Sequence, residues 1–418
     1  MSESCQSAIV FSVDRWGARW LGPYGNSWLE TPFLNHFASQ AFICEHAIID
    51  SPSLIDVYQS YWQGCHAAQA DTSTGRSFFQ PLSDKSVQTV LITDETQVSS
   101  HPLAQHFEHC HTLQLSENSG CCESVDETEI GQFMASTVSI LDELQPPFFL
   151  WIHSRGMSGN WDAPYEMRAA LASEDDPPPP ETTEVPDCVL PVNHDPDELL
   201  GMSYAYAGQI RLLDQWFGEL LTAIEEKNFG QLLTVVTSPR GFPLGEHRRV
   251  GSAEQALYGE LLQVPLMIRS SDRKGALCRS QALIQPVDLF STIGDWFGLE
   301  PIVAVAQGQS LLSDLVQIDR VRRNRAASVL GTERALRTPA WFLRVPGEGQ
   351  AGQPDGVSVC QPELFVKPED GIEVNNVADR CPDIVGAMLQ VLDAFEEDLH
   401  QQVDQISELS EVLEFGMD

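Results

Sequence analysis

Five short apolar runs punctuate the chain: Ser7-Ala-Ile-Val-Phe-Ser-Val13, Thr89-Val-Leu-Ile-Thr93, Phe148-Phe-Leu-Trp-Ile-His153, Leu232-Leu-Thr-Val-Val-Thr237 and Val264-Pro-Leu-Met-Ile-Arg269. Each is continuously apolar rather than alternating, the pattern of strands covered on both faces. Between them the period changes to that of a helix. The clearest stripe joins Ile210, Leu213, Phe217, Leu220, Leu221 and Ile224. Strands alternating with helices predict an α/β fold with a mostly parallel central sheet and helices on both faces.

Two segments break this rhythm. Residues 172–196 carry the run Pro177 to Pro180 and many acids, which predicts an extended surface loop. Near residue 320 the charge pattern switches, with Arg320, Arg322, Arg323 and Arg325 close together. Beyond lie strand-like Ala340 to Val345, a Gly/Pro-rich stretch from Pro346 to Gly356, an amphipathic helix from about Pro382 to Leu399, and an acidic tail. The expected organisation is a large α/β domain over residues 1–320 and a small C-terminal α+β unit over 321–418.

Composition narrows the function classes. A chain of 418 residues with 42% hydrophobic content can bury a sizeable core. Acidic residues number 60 against 24 basic, a formal charge of −36, which disfavours nucleic acid as a partner. The first apolar run, Ala8 to Phe11, is too short for a signal peptide or a membrane span. The ten cysteines show no metal-type spacing, although Cys121 and Cys122 are adjacent. The expectation is a cytoplasmic protein with reduced thiols that engages neither nucleic acid nor membrane.

Short motifs add a family. The first strand runs into Val13-Asp14-Arg15, then Leu21-Gly-Pro-Tyr-Gly25-Asn26 and Thr31-Pro-Phe-Leu-Asn35. Ala47, Ser51-Pro52 and Gly64 follow. Later come Thr237-Ser-Pro-Arg-Gly241, Leu244-Gly-Glu-His247, Leu257-Tyr258, Val264-Pro-Leu266 and Pro286-Val-Asp-Leu289. Near the end stand Arg337-Thr-Pro339 with Trp341, Pro362-Glu-Leu-Phe365 and Asn375-Asn376. In this order the set resembles the sulfatase family of the alkaline-phosphatase superfamily over nearly the whole chain. The resemblance implies that family's fold and, in an intact member, hydrolysis of sulfuric esters. It does not by itself carry the chemistry.

The chemistry the resemblance implies needs a divalent cation, usually calcium, held by aspartates after the first strand and by groups near D-H-G. It also needs a formylglycine nucleophile in C-x-P-x-R, and cationic side chains that stabilise the sulfate oxygens. Asp14 keeps the first metal position, but Arg15 stands at the second. Pro239 and Arg240 replace the pair expected near D-H-G. Without a gap, the nucleophile position is Leu54, the proline position Asp56 and the arginine position Tyr58. The two lysine positions fall at about Asp94 and Glu254. Leucine has no nucleophilic atom, and an arginine repels a cation. A shifted register instead puts Asp50 at the nucleophile position and Leu54 at the arginine position. Ser51 or Ser53 as a bare serine nucleophile is a further alternative, with no metal or adjacent base to activate it.

His101, His106, His109 and His111 fit no zinc spacing and are read as satisfied or solvated. His153 ends a strand and is a candidate pocket residue; the family's P-H-x-P segment falls at about Met157-Ser158, without its histidine. Trp16, Tyr58, Trp62 and Trp161 are cleft aromatics or, by the commoner use of large rings, core. Glu246 and His247 are intact and shape their loop. The leading expectation is a pseudo-sulfatase with no resident cofactor and a binding or regulatory role toward a protein or carbohydrate ligand. The alternatives are an active, calcium-dependent sulfuric or phosphoric ester hydrolase with a rewired site, and an acidic scaffold using the 172–196 loop.

Overall fold

The computed structural model describes residues 5–69, 77–116, 118–253, 255–300, 307–316, 323–347, 361–401 and 409–416. The expected runs all form strands: β1 (Gln6–Val13), β3 (Gln88–Thr93), β5 (Phe148–Ser154), β7 (Gln231–Thr237) and β9 (Gln263–Ser270). Three more polar strands join them: β2 (Phe42–Ile48), β4 (His109–Thr112) and β10 (Arg279–Ile284). Together they form one eight-stranded sheet in the order β10-β2-β9-β7-β1-β5-β3-β4. The pairs β1/β5, β1/β7, β3/β5 and β3/β4 are parallel, and β7/β9 is antiparallel. Phe11, Leu91, Leu150 and Val235 therefore lie in one mainly parallel sheet.

Continuous apolar character has the expected cause. On β1 and β5, Ile9, Phe11, Val13, Leu150 and Ile152 belong to a large buried cluster that includes the helix stripe Ile210, Leu213, Phe217, Leu220, Leu221 and Ile224. Phe11 stacks on Phe217 at 5.4 Å. The intervening Phe149 is equally buried and meets Phe107 at 6.2 Å. That helix, Pro196–Lys227, starts on Asp195, whose carboxylate accepts from the Asp197 N–H, with proline in the first turn. Residues 172–196 run mostly outside regular structure, apart from β6 (Cys188–Val189), which pairs antiparallel with β8 (Arg249–Val250).

The chain divides into two compact units. One comprises Met1–Glu45, Phe79–Ala253 and Val264–Arg279; the other comprises His46–Phe78, Glu254–Gln263 and Ser280–Asp418. The second contains a four-stranded antiparallel sheet of β11 (Ala326–Leu330), β12 (Glu333–Arg337), β13 (Trp341–Val345) and β14 (Glu363–Val366). The amphipathic helix Pro382–Gln401 buries Ile384, Met388 and Leu392 in the same apolar cluster as Leu336, Leu343 and Leu364. Arg320, Arg322 and most of the Pro346 to Gly356 stretch lie outside the described residues, as does Glu254.

Candidate functional site

Within the first unit the parallel strands β1, β5, β3 and β7 all end on the same side, the place where open α/β sheets put their sites. Asp14 follows β1 directly and is fully buried. Its N–H donates to the Ser154 carbonyl (2.9 Å) and its carbonyl accepts from the Met157 N–H (3.1 Å), so the carboxylate is fixed from both sides of the backbone. Arg240 donates to it twice, Nε to Oδ1 at 2.8 Å and Nη2 to Oδ2 at 2.8 Å. This is the bidentate geometry of a guanidinium on a carboxylate. Ser158 Oγ donates to Oδ2 at 2.6 Å. Burial alone would raise the Asp14 carboxyl; Arg240 and then Arg15 outweigh it and hold it well below the usual carboxylate range.

Arg15 is also buried and sits at φ +58°, a left-handed conformation that costs a non-glycine residue on the order of 1–3 kcal/mol. Tyr206 secures the bend: its hydroxyl donates to the Arg15 carbonyl at 2.8 Å and accepts from the Gly17 N–H at 3.1 Å. The Arg15 head reaches the Gly251 carbonyl (3.4 Å) and Ser252 Oγ (2.6 Å) and lies 5.9 Å from the Phe242 ring centre. Burial lowers its pKa to about 10, and Arg240 adds to the fall.

His153 is fully buried and pairs in register with Ser12 on β1. Burial lowers its pKa to about 4, against the pull of Asp14, so the ring is neutral at physiological pH. Asp94, at the end of β3, accepts the Arg155 N–H at 2.7 Å, and burial raises it to about 7. A carboxyl at this position supplies no cation. Pro239 is buried and has no side-chain donor atom for a metal. Glu246 folds back on its own loop, accepting the Leu244 N–H at 2.8 Å, and the His247 carbonyl accepts from Arg249. Asp14, Arg15, Arg240 and His153, each named from the sequence, come together here. The sequence missed Tyr206 and Ser252, which no local pattern marks, and named Ser158 only as part of a degenerate segment.

The segment that the resemblance sets against the family's nucleophile is in the second unit. Leu54 opens the helix Leu54–Gln63, with Ser53 as its cap, and is buried. Tyr58 is fully buried, 4.6 Å from Trp62 and 5.8 Å from Tyr61 between ring centres. Ser51 Oγ donates to Asp56 Oδ2 (3.2 Å), and Ser53 Oγ accepts the Asp56 N–H (3.4 Å), so both hydroxyls serve the helix start. The helix ends on Gly64 at φ +66°, where an added Cβ would stand 2.4 Å from the Phe290 ring. Trp16 and Trp161, in the first unit, are core residues like Tyr58 and Trp62; none offers an exposed ring face.

The family's calcium can be tested against these residues. Calcium takes six to eight oxygen ligands. Both Asp14 oxygens are engaged by Arg240, one of them also by Ser158, and the neighbouring ligand positions hold Arg15 and Pro239. Among the described residues no three His, Cys, Asp or Glu side chains form a group able to hold a metal ion. The residues present do not fit the ion.

Residues 6–299 match the Sulfatase family model, and the chain belongs to the sulfatase family. Solved structures agree in fold. BT4656, in complex with its substrate D-glucosamine-2-N,6-O-disulfate, matches at TM-score 0.75 and 16% identity, over 96% of this chain and 99% of that one. The phosphonate monoester hydrolase of Agrobacterium radiobacter matches at 0.70 and 14%, over 97% and 98%. BT1596, a 2-O GAG sulfatase, matches at 0.69 and 16%, over 97% and 95%. At such identities the likeness is one of fold. No curated protein matches the chain.

Proposed function

We propose that this member of the sulfatase family is a pseudoenzyme: it keeps the fold, has no competent metal or nucleophile, and binds rather than hydrolyses. The observation that carries the reading is the Asp14–Arg240 pair. A carboxylate that accepts two guanidinium bonds and a serine bond has three of its about four acceptor sites taken, and the guanidinium beside it repels a cation. Leu54 and Tyr58 support it, since neither supplies attack on sulfur nor a charge to hold the sulfate. A neutral His153 and the carboxyl of Asp94 add no positive charge either. The role is then binding or regulation. A carbohydrate is the first ligand to try, because BT4656 takes a sulfated glucosamine as its substrate.

The test is turnover of an aryl sulfate and an aryl phosphate by purified protein, with and without calcium, manganese or zinc. The expected rate is that of the uncatalysed reaction. Metal-dependent turnover that disappears in Asp14→Ala would overturn the proposal and establish the rewired hydrolase in its place.

A further inference from the structure

The four histidines between 101 and 111 fall into two pairs. His101 is buried, and its Nδ1 accepts the Leu103 N–H at 3.1 Å. His106 lies 5.9 Å from the Phe79 ring. His109 and His111 instead stand on β4, the last strand in the order of the large sheet, paired with β3. Side chains along a strand alternate in face, so residues two apart share one, about 6.6 Å from each other along the strand. The register sets His109 beside Val90 and His111 beside Ile92, while Cys110, beside Leu91, takes the opposite face. The two imidazole rings are 6.5 Å apart between centres, with their planes 33° from each other.

His109 is exposed and His111 half-buried, so both rings have room to turn toward a common ion and solvent reaches its remaining positions. Metal–imidazole bonds are about 2.0–2.1 Å long, which two rings on one face of a strand reach by side-chain rotation alone. Glu108 Oε1 stands 3.7 Å from His109 Nε2. A carboxylate against one ring nitrogen orients the ring and leaves the other, Nδ1, for a metal, the usual arrangement around a ligating histidine. We infer that His109 and His111 form an open two-imidazole site for a divalent first-row cation of the nickel, copper and zinc class. Two ligands fall short of a closed zinc site, which is why the spacing matches none. They suit ions that prefer imidazole and complete their shell with water. Calcium does not compete, since it takes oxygen ligands. The chain's charge of −36 attracts any divalent cation, but the imidazole pair fixes where this one is held. Two strands, β5 and β3, lie between β4 and β1, so the site does not depend on whether the Asp14 region is catalytic.

Calorimetric titration of the full chain with nickel(II) chloride tests this, because nickel binds imidazole without oxidising Cys110. Saturable binding of one ion per chain is expected. His109→Gln and His111→Gln should each weaken it about tenfold or more. His36→Gln removes an exposed histidine elsewhere in the same unit and should leave the affinity within about twofold. Cys110→His/His111→Gln keeps two neighbouring imidazoles but sets them on opposite faces of the strand, and should bind as weakly as His111→Gln. Wild-type affinity in that double variant, or in either single one, would overturn the inference. Equal weakening by His36→Gln, or no saturable nickel binding at all, would do the same.

Discussion

Replacing Arg240 with methionine tests the centre of the argument. Asp14 is fully buried, and the Arg240 side chain is 14% exposed. The substitution keeps aliphatic bulk but removes two of the carboxylate's three side-chain donors and the stronger of its two nearby positive charges, leaving Ser158 Oγ as its side-chain donor and Arg15 as a weaker counter-charge. Breaking a buried pair from one side costs about 3–5 kcal/mol. The partly open Arg240 side admits some water, so we expect the lower end, about 3 kcal/mol, by urea denaturation at pH 7. Asp14→Asn/Arg240→Met removes both charges and should recover more than half of the loss. The pH dependence has a definite sign. The Asp14 carboxyl is depressed in the folded protein, so its stabilisation is full above the unfolded value of about 3.9 and fades as pH falls through the folded value. The gap between wild type and Arg240→Met should therefore be widest near neutrality and narrow below about pH 4. A neutral-pH loss under about 1 kcal/mol, the scale of an exposed pair, would refute the reasoning. So would a gap that widens in acid.

Leu54→Cys should gain no turnover of aryl sulfate, because one member of a cooperative catalytic set recovers little alone; measurable metal-dependent turnover would contradict this. Asp50 is fully buried, accepts from Ser60 Oγ and the Ala67 N–H on Oδ2, and is raised by burial to about 7. Its stabilisation is complete below the unfolded carboxyl value and is lost as pH rises through about 7. Asp50→Asn should therefore gain stability relative to wild type between pH 4 and 8, read by denaturation at both ends of that range; a gain that does not grow with pH would refute it.

The five strands legible in the sequence share continuous burial, which leaves a continuous apolar trace. β2 was not legible because Glu45 and His46 are only partly buried and interrupt it. β4, at the sheet's edge, is mostly exposed and reads His-Cys-His-Thr, so it leaves no apolar trace to mark a strand. Asp14 and Arg240 were legible because the motifs on either side pin their positions. Tyr206 holds the Arg15 bend and Ser252 its guanidinium, from 191 and 237 residues away, and nothing local announces such partners. The second unit is hidden for the same reason. Val329 N–H donates to the Asp50 carbonyl at 2.8 Å, and Leu257 N–H donates to the Glu333 carboxylate at 2.9 Å. These bonds join stretches that the chain separates widely.

If Arg240 substitutes for a metal in holding Asp14, the substitution should be reversible in part. A cation in this position has two separable duties: neutralising the buried carboxylate and presenting open coordination positions to a ligand. A guanidinium performs only the first, since it donates and has no vacancy to accept an oxygen. Arg15→Asp/Arg240→Ala frees both Asp14 oxygens from the guanidinium and supplies a second carboxylate. Aspartate also tolerates the left-handed backbone at position 15 better than most residues. Without metal the variant buries two like charges near one another and should be less stable than wild type by about 3 kcal/mol or more. Calcium should recover part of that loss by mass action, with a melting midpoint that climbs as calcium is added. Because Pro239 still contributes no ligand, the affinity should be weak, in the millimolar range of sparsely charged calcium sites. Wild type should show no calcium-dependent shift. A wild-type midpoint that rises with calcium, or a variant indifferent to it, would mean that Arg240 does not stand in a cation's place.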